Sequence, residues 1–134
     1  MYHPGITSLG ASCFGSCKSL STVNLPSVAI IGASAFAYCS SLKTISLPAV
    51  TSITGYAFYN CSKLESLYLF GSSVPSVKSY IFNGSPIASS TLLGYFGSIY
   101  VRESLLASFQ AATNLSAYSS RFVGLTDAQI AALE

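Results

Sequence analysis

Apolar residues recur along this chain with a period of 22 residues, so that one pattern is repeated in three successive segments. A shift by that period superposes phenylalanine on phenylalanine, cysteine on cysteine and leucine on leucine. The clearest matched sets are Phe14, Phe36 and Phe58; Cys17, Cys39 and Cys61; Leu20, Leu42 and Leu64; and Leu25, Leu47 and Leu69. Agreement at this many positions indicates an internal repeat, which sets the frame for every local motif.

A fourth copy continues the pattern more loosely, with two extra residues. Its matching positions are Val74, Val77, Phe82 and Ser85, the last of which stands where cysteine is expected. After a further insertion of eight residues, the segment 96–101 restores the apolar spacing of the earlier copies. We therefore expect four copies, three regular and one degenerate.

Each copy ends with alternating apolar and polar residues, which is typical of a strand with one buried face. A unit this short cannot bury its own apolar side chains, so each copy must be covered by the next one. Stacking places equivalent strands side by side, at the ~4.7–4.9 Å that separates neighbouring strands. The pattern predicts a repeat solenoid with a parallel β-sheet on its concave face, short helical turns on its convex side, and ladders of Phe and Cys inside.

The segment from Ile31 to Pro48, IGASAFAYCSSLKTISLP, resembles the BspA-type (Treponema-type) leucine-rich repeat. The ordinary leucine-rich repeat has Asn or Cys shortly after the strand, whereas this chain has Pro. The resemblance covers residues 6–101 and implies a leucine-rich-repeat superhelix. It also implies adhesion or ligand binding at an extracellular or cell-surface location, since members of this family are mostly bacterial or protist surface proteins. The resemblance implies no catalytic residues and no cofactor.

We expect residues 1–134 to form a single domain, in which residues 102–134 are a helical C-terminal cap. Ser104 is placed to cap one helix, and Thr126 with Gln129 has the spacing of a capping box before another. No comparable cap precedes Ile6, so the first copy is expected to expose its strand edges, which invite pairing with another chain. This predicts either a fragment of a longer protein, the preferred interpretation, or an oligomer contact through the N-terminal edge.

Charge and hydropathy exclude several partners. Only 7% of the residues are charged and the net charge is +2, too little for a nucleic-acid-binding surface. No apolar stretch approaches the ~18–20 residues that a membrane-spanning helix needs, so we expect no membrane insertion. The N-terminal residues lack the basic and apolar regions of a signal peptide.

Candidate catalytic and metal-binding residues are few. The one histidine, His3, lies in an N-terminal segment expected to be free, and the carboxylates fall on different elements. Because Cys17, Cys39 and Cys61 share one column of the repeat, we interpret them as buried structural thiols. A disulfide between neighbouring copies and a zinc site that includes Cys13 remain alternatives. The sequence therefore predicts no catalytic residue, no metal site and no enzyme.

The polar strand positions point outward from the predicted concave face and are the best candidates for binding. Tyrosine offers rigid contact area, and Ser, Thr and Asn offer adaptable hydrogen bonds. The predicted binding residues are Tyr68, Tyr100, Asn24, Ser46, Lys43 and Glu65. The alternative is that these residues simply suit a solvated sheet. Tyr38, Tyr56 and Tyr59 form a second candidate surface on the convex side.

The leading hypothesis is a non-enzymatic binding or adhesion module whose concave face takes a host protein or a glycan. The alternative is a structural spacer or self-assembling unit that stacks through its uncapped N-terminal copy.

Overall fold

The computed structural model describes residues 1–89 and 94–133. The chain winds in successive coils, and each coil adds a short strand to each of two parallel sheets. The strands are β1 (Ser8–Leu9), β2 (Thr22–Asn24), β3 (Ile30–Ile31), β4 (Thr44–Ser46), β5 (Ser52–Ile53), β6 (Ser66–Leu69), β7 (Ser76–Val77), β8 (Ser98–Arg102) and β9 (Phe122–Leu125). The insertion expected before Phe96 falls partly on residues 90–93, which lie outside the described residues.

The long sheet has the order β2-β4-β6-β8-β9 and is the predicted concave face. Its register follows the repeat, because Ile45 of β4 pairs with Leu67 of β6, which pairs with Ile99 of β8. These apolar residues are buried, and the residues between them are more exposed. The predicted repeat solenoid is confirmed, together with its parallel sheet and the alternation of buried and outward-facing side chains.

The short sheet, with the order β1-β3-β5-β7, was not predicted. Its strands are only two residues long, and each places one apolar residue in the core, such as Ile31 in β3 and Ile53 in β5. An alternation over two residues is too short to be recognised in a sequence as a strand. The second sheet is recognised from the parallel pairing of these short strands between neighbouring coils.

The segments expected to form short helical turns contain no helix in the described coils. They form hydrogen-bonded turns, such as the one closed by the Cys39 amide donating to the Phe36 carbonyl at 3.2 Å. Left-handed residues interrupt these turns, with Ser34 at φ 57° and Tyr38 at φ 62°, so the backbone cannot continue as a helix. The amides that are released donate to the next coil instead, as Phe36 does to the Ala57 carbonyl at 2.9 Å. We call this third side of the coils the turn layer.

The core is a set of side-chain ladders that run through the coils. The rings of Phe14, Phe36, Phe58 and Phe82 stack with centroid separations of 5.4, 5.6 and 5.9 Å and are within 11° of parallel. Phe36 and Phe58 are fully buried, whereas Phe14 at the start of the ladder is only partly buried. No side-chain nitrogen or oxygen that is buried in the described coils lacks a hydrogen-bond partner.

The C-terminal segment after β8 contains two short 3-10 helices, Glu103–Leu105 and Ser116–Arg121, and two α-helices, α1 (Leu106–Ala111) and α2 (Asp127–Ala132). The capping box of Thr126 and Gln129 is confirmed. The expected cap at Ser104 is wrong, because α1 begins after Leu105 with no side-chain cap. Strand β9, which was expected only to be an apolar return segment, pairs with β8 and extends the long sheet.

The first residues of the chain are paired, although they were expected to be free. The Met1 ammonium group donates to the Thr22 carbonyl at 2.7 Å, and the Asn24 amide donates to the Met1 carbonyl at 2.8 Å. The His3 amide in turn donates to the Asn24 carbonyl at 3.4 Å. Residues 1–3 thus cover the edge of β2 that the sequence predicted to be open.

Replacement of Phe36 by Ala tests the ladder. Because Phe36 is fully buried between two parallel rings, we expect the free energy of unfolding to fall by ~3–5 kcal/mol. Urea denaturation followed by circular dichroism measures this change. Thr22→Ala, at an exposed position of β2, is the control and should change the stability little. An unchanged stability of the Phe36 variant would contradict the inward position of the ladder.

Candidate functional site

The outward-facing residues of the long sheet form columns of equivalent positions. One column contains small hydroxyl side chains, namely Thr22, Thr44, Ser66 and Ser98. The next column contains Asn24, Ser46, Tyr68 and Tyr100. Only the second column changes along the sheet: its side chains are small and polar in the first two coils and aromatic in the later ones.

Three aromatic rings form a platform on this face. Tyr68 and Tyr100 are cross-strand neighbours whose rings stack at 5.0 Å and 18°. Phe70 follows β6 and places its ring 5.5 Å from that of Tyr68, at an angle of 52°. Because each of the three side chains is only partly buried, the platform remains accessible at its surface. Rigid aromatic rings of this kind provide contact area with little loss of conformational entropy.

A groove of about 490 Å³ lies beside the platform, along strands β2 and β4 and at the end of β6. Its floor includes the outward-facing residues Asn24, Ser46 and Tyr68. Pro26 and Pro48, the residues that leave the strands, form the apolar part of its edge with Phe70. The groove therefore offers hydrogen-bonding groups and apolar surface side by side, as binding sites generally do.

Helix α2 forms a further wall of the groove. Ile130 and Leu133 contribute apolar side chains to it, and Ile130 is buried. Arg102 fixes the position of this helix, since its Nη1 donates to Asp127 Oδ1 at 2.8 Å. The Arg102 Nε also donates to the Phe70 carbonyl at 2.8 Å, which joins the helix to the rim of the aromatic platform. Arg102 keeps further guanidinium N–H groups and, among residues 1–89 and 94–133, is the one charged residue that lines the groove.

The six residues predicted to bind do not all lie together. Asn24, Ser46 and Tyr68 line the groove, and Tyr100 stacks on Tyr68 in the platform. Lys43 and Glu65 are exposed, but they are not among the residues that line the groove. Lys43 and Glu65 are thus on the same sheet but separate from the groove.

Phe70, Arg102 and Ile130 are among the groove residues that the sequence interpretation missed. Phe70 replaces the proline of the two preceding copies, and that departure from the repeat was a usable signal. Arg102 continues the outward-facing parity of Ser98 and Tyr100 along β8, so an extension of the alternation would have found it. Nothing in the sequence places Ile130 beside strands that are about a hundred residues earlier.

All four cysteines are free thiols in the structure. The Cys39 Sγ donates to the Phe14 carbonyl at 3.1 Å, and the Cys61 Sγ donates to the Phe36 carbonyl at 3.0 Å. Each thiol therefore reaches from its own coil to the preceding one. The hydrogen bond with the Cys39 thiol, together with burial, raises the pKa of Cys61 above its ordinary value. Cys61 is held in its neutral form, as expected of a structural thiol.

Within residues 1–89 and 94–133, no three His, Cys, Asp or Glu side chains are grouped as a metal site would require. The same part of the chain has no helix that is long and apolar enough to span a membrane.

A family model described as the BspA type leucine-rich repeat region matches six copies over residues 2–116. The match includes the strands that carry the aromatic platform and extends into the segment that follows β8. No curated protein matches the chain significantly.

The raised pKa of Cys61 predicts a loss of stability in alkaline solution. The unfolded chain ionises this thiol near its ordinary pKa of 9.0, but the folded chain keeps it neutral, so the unfolded state binds fewer protons above this pH. The contribution of this thiol to stability is present below pH 9.0 and should be lost progressively as the pH rises above that value. Cys61→Ser, compared with the parent by urea denaturation on both sides of that pH, should show the smaller loss. Equal slopes in the two proteins would contradict the prediction.

Proposed function

Because the chain belongs to the BspA-type leucine-rich repeat family, we propose that it is a non-enzymatic binding module whose groove takes a segment of a partner protein. Domains of this family are commonly protein-interaction or adhesion modules. The observation that carries the proposal is the aromatic platform of Tyr68, Tyr100 and Phe70 beside the groove. Aromatic side chains that become buried when a partner binds contribute much of the binding energy of protein interfaces.

The chemistry of the groove favours a peptide segment over a glycan. Pro26, Pro48 and Ile130 supply apolar surface for the side chains of a partner, and Asn24 can pair with its backbone. Arg102 supplies a positive charge for a carbonyl or carboxylate oxygen of the partner. A partner larger than the groove would also contact Lys43 and Glu65, which are exposed outside the groove.

The family is often surface-associated, and we propose an extracellular or cell-surface location for this protein. More specifically, we propose adhesion to a host protein. A glycan is the competing candidate for the ligand. A binding role is consistent with the rigid stack of coils, because the partner would not have to order the site.

A second candidate function is self-association through the first coil. Cys13 is exposed there, although the equivalent Ala35 and Ala57 are fully buried under the coil that precedes each of them. The other end of the stack is covered, because Asn114 donates to the Val77 carbonyl at 2.9 Å and the Tyr118 ring packs edge-on against Phe82. Association through the first coil would therefore end at two copies and could not continue as a filament.

The double variant Tyr68→Ala with Tyr100→Ala tests the binding proposal. Peptides are first selected on the parent protein from a library of random linear peptides, and a glycan array is screened in parallel. Loss of two stacked anchors should weaken the selected peptides by about 30-fold or more, as for hot-spot residues. Calorimetric titration measures the affinity.

Lys43→Ala is the matched control, because it alters the same sheet outside the groove, and it should cost far less affinity than the double variant. An equal affinity of the parent and the double variant for the selected peptides would remove the groove as the site. Binding of glycans alone would overturn the assignment of a protein ligand.

Sedimentation velocity over a range of concentrations tests self-association. The parent should form a dimer as the concentration rises, with no larger species. Cys13→Asp places a charge at the exposed end of the ladder, where it is solvated in the monomer and buried in the dimer, so this variant should remain monomeric. A parent that is monomeric at every concentration would exclude this function.

A further inference from the structure

Four tyrosines of the turn layer form a continuous cluster on the outside of the coils, separate from the groove. We call Tyr38, Tyr56, Tyr59 and Tyr80 the outer tyrosine cluster. The ring of Tyr59 meets Tyr38 and Tyr56 edge to face, at 5.5 and 5.6 Å, and Tyr56 stacks on Tyr80 at 5.8 Å. Tyr38, Tyr56 and Tyr80 are 50%, 48% and 55% exposed, so about half of each residue faces solvent.

The backbone at Tyr38, Tyr56 and Tyr80 is left-handed, a conformation that residues other than glycine and asparagine seldom adopt. Each coil has two such positions. The first set is Ser12, Ser34, Tyr56 and Tyr80, and the second is Ser16, Tyr38, Asn60 and Gly84, with φ between 55° and 78°. Serine, asparagine or glycine makes the same turn in the neighbouring coils, so the turn itself does not require an aromatic ring.

Packing does not account for these rings either. The core ladders lie inside the coils, whereas the rings of the cluster contact one another at the surface. An exposed aromatic ring in an unfavourable backbone conformation adds nothing to the burial of the core. Strained positions of this type concentrate at sites that bind ligands.

The cluster borders a depression of about 560 Å³, within the ~300–1,000 Å³ typical of sites for small ligands. Its walls include Tyr38, Tyr56 and Tyr59 on one side and the hydroxyl side chains of Ser12, Ser16 and Ser34 on the other. Glycine and alanine complete the lining. The depression therefore combines aromatic ring faces with hydroxyl groups that both donate and accept hydrogen bonds.

We propose that the outer tyrosine cluster binds a neutral saccharide. A sugar ring presents a face of C–H bonds, which is attracted to the negative face of an aromatic ring. Its hydroxyl groups match the phenol and serine hydroxyls that surround the rings. The described residues of the lining carry no charge, which favours a neutral ligand over an acidic one, in contrast to the groove with its Arg102. The site is independent of the proposed peptide groove, since the two share no residue.

The test uses soluble neutral oligosaccharides of glucose, mannose, galactose, xylose and N-acetylglucosamine as probes. The chain contains nine tyrosines and no tryptophan, so tyrosine fluorescence reports contact with the rings directly. We expect at least one probe to bind with a dissociation constant of millimolar or lower. The double variant Tyr38→Asn with Tyr56→Ser should bind that probe about tenfold more weakly or worse, a difference that calorimetric titration also resolves.

The melting temperature separates binding from folding in this variant. Because Asn60 and Ser34 already occupy the equivalent left-handed positions, the double variant should melt at the same temperature as the parent or higher. Tyr68→Ala, in the groove, is the matched control and should leave saccharide binding unchanged. The proposal is overturned by a parent that binds none of the probes, by a variant that binds as well as the parent, or by a variant that loses binding only together with its fold. Tighter binding of sialylated or sulfated probes would exclude a neutral ligand.

Discussion

A coil of 22 residues has too little chain to enclose its own apolar side chains, and this shortage governs the structure. Each buried side chain is covered by its equivalent in the next coil, as the parallel rings of Phe36 and Phe58 show at 5.6 Å. The same dependence extends to the polar groups, because backbone amides of the sheets and the turn layer donate across coils. The buried thiol of Cys61 likewise donates a hydrogen bond to the Phe36 carbonyl of the preceding coil. Stability therefore resides between coils, and one large cavity in a ladder affects the coils on both sides of it.

This constraint fixes the interior and leaves the outward-facing positions free to differ. In the column that begins with Asn24 and Ser46, the long sheet changes to Tyr68 and Tyr100 without any change of register. In the turn layer, the left-handed position of Ser34 is taken by Tyr56 in the next coil with the same backbone. Aromatic rings have thus been added on two faces without disturbing the stack. The proposals for the groove and for the outer tyrosine cluster rest on these additions.

The C-terminal segment packs on the last coils and also shapes the groove. Strand β9 pairs with the last strand of the repeat, and the Asn114 side chain satisfies the Val77 carbonyl at the end of the short sheet. The chain then returns in α2, which the Arg102–Asp127 ion pair holds against the face of the long sheet. With the Arg102 side chain 36% exposed, this pair is more important for the orientation of the helix than for stability. The same C-terminal segment therefore covers the last coils and forms one wall of the groove.

The sequence by itself determined the stack, the register of its strands and the inward direction of the Phe, Leu and Cys columns, because a repeated pattern forces equivalent residues to be neighbours. It also identified the capping box of Thr126 and the outward position of Tyr68 and Tyr100. Only the tertiary structure decided that the turns are left-handed and pair between coils, that the two-residue strands form a second sheet, and that residues 1–3 lie along β2. It alone brought Ile130 and Arg102 to the groove and left Lys43 and Glu65 outside its lining. These features depend on contacts between distant parts of the chain or on pairing too short to leave a periodic signal, and neither can be read from local pattern.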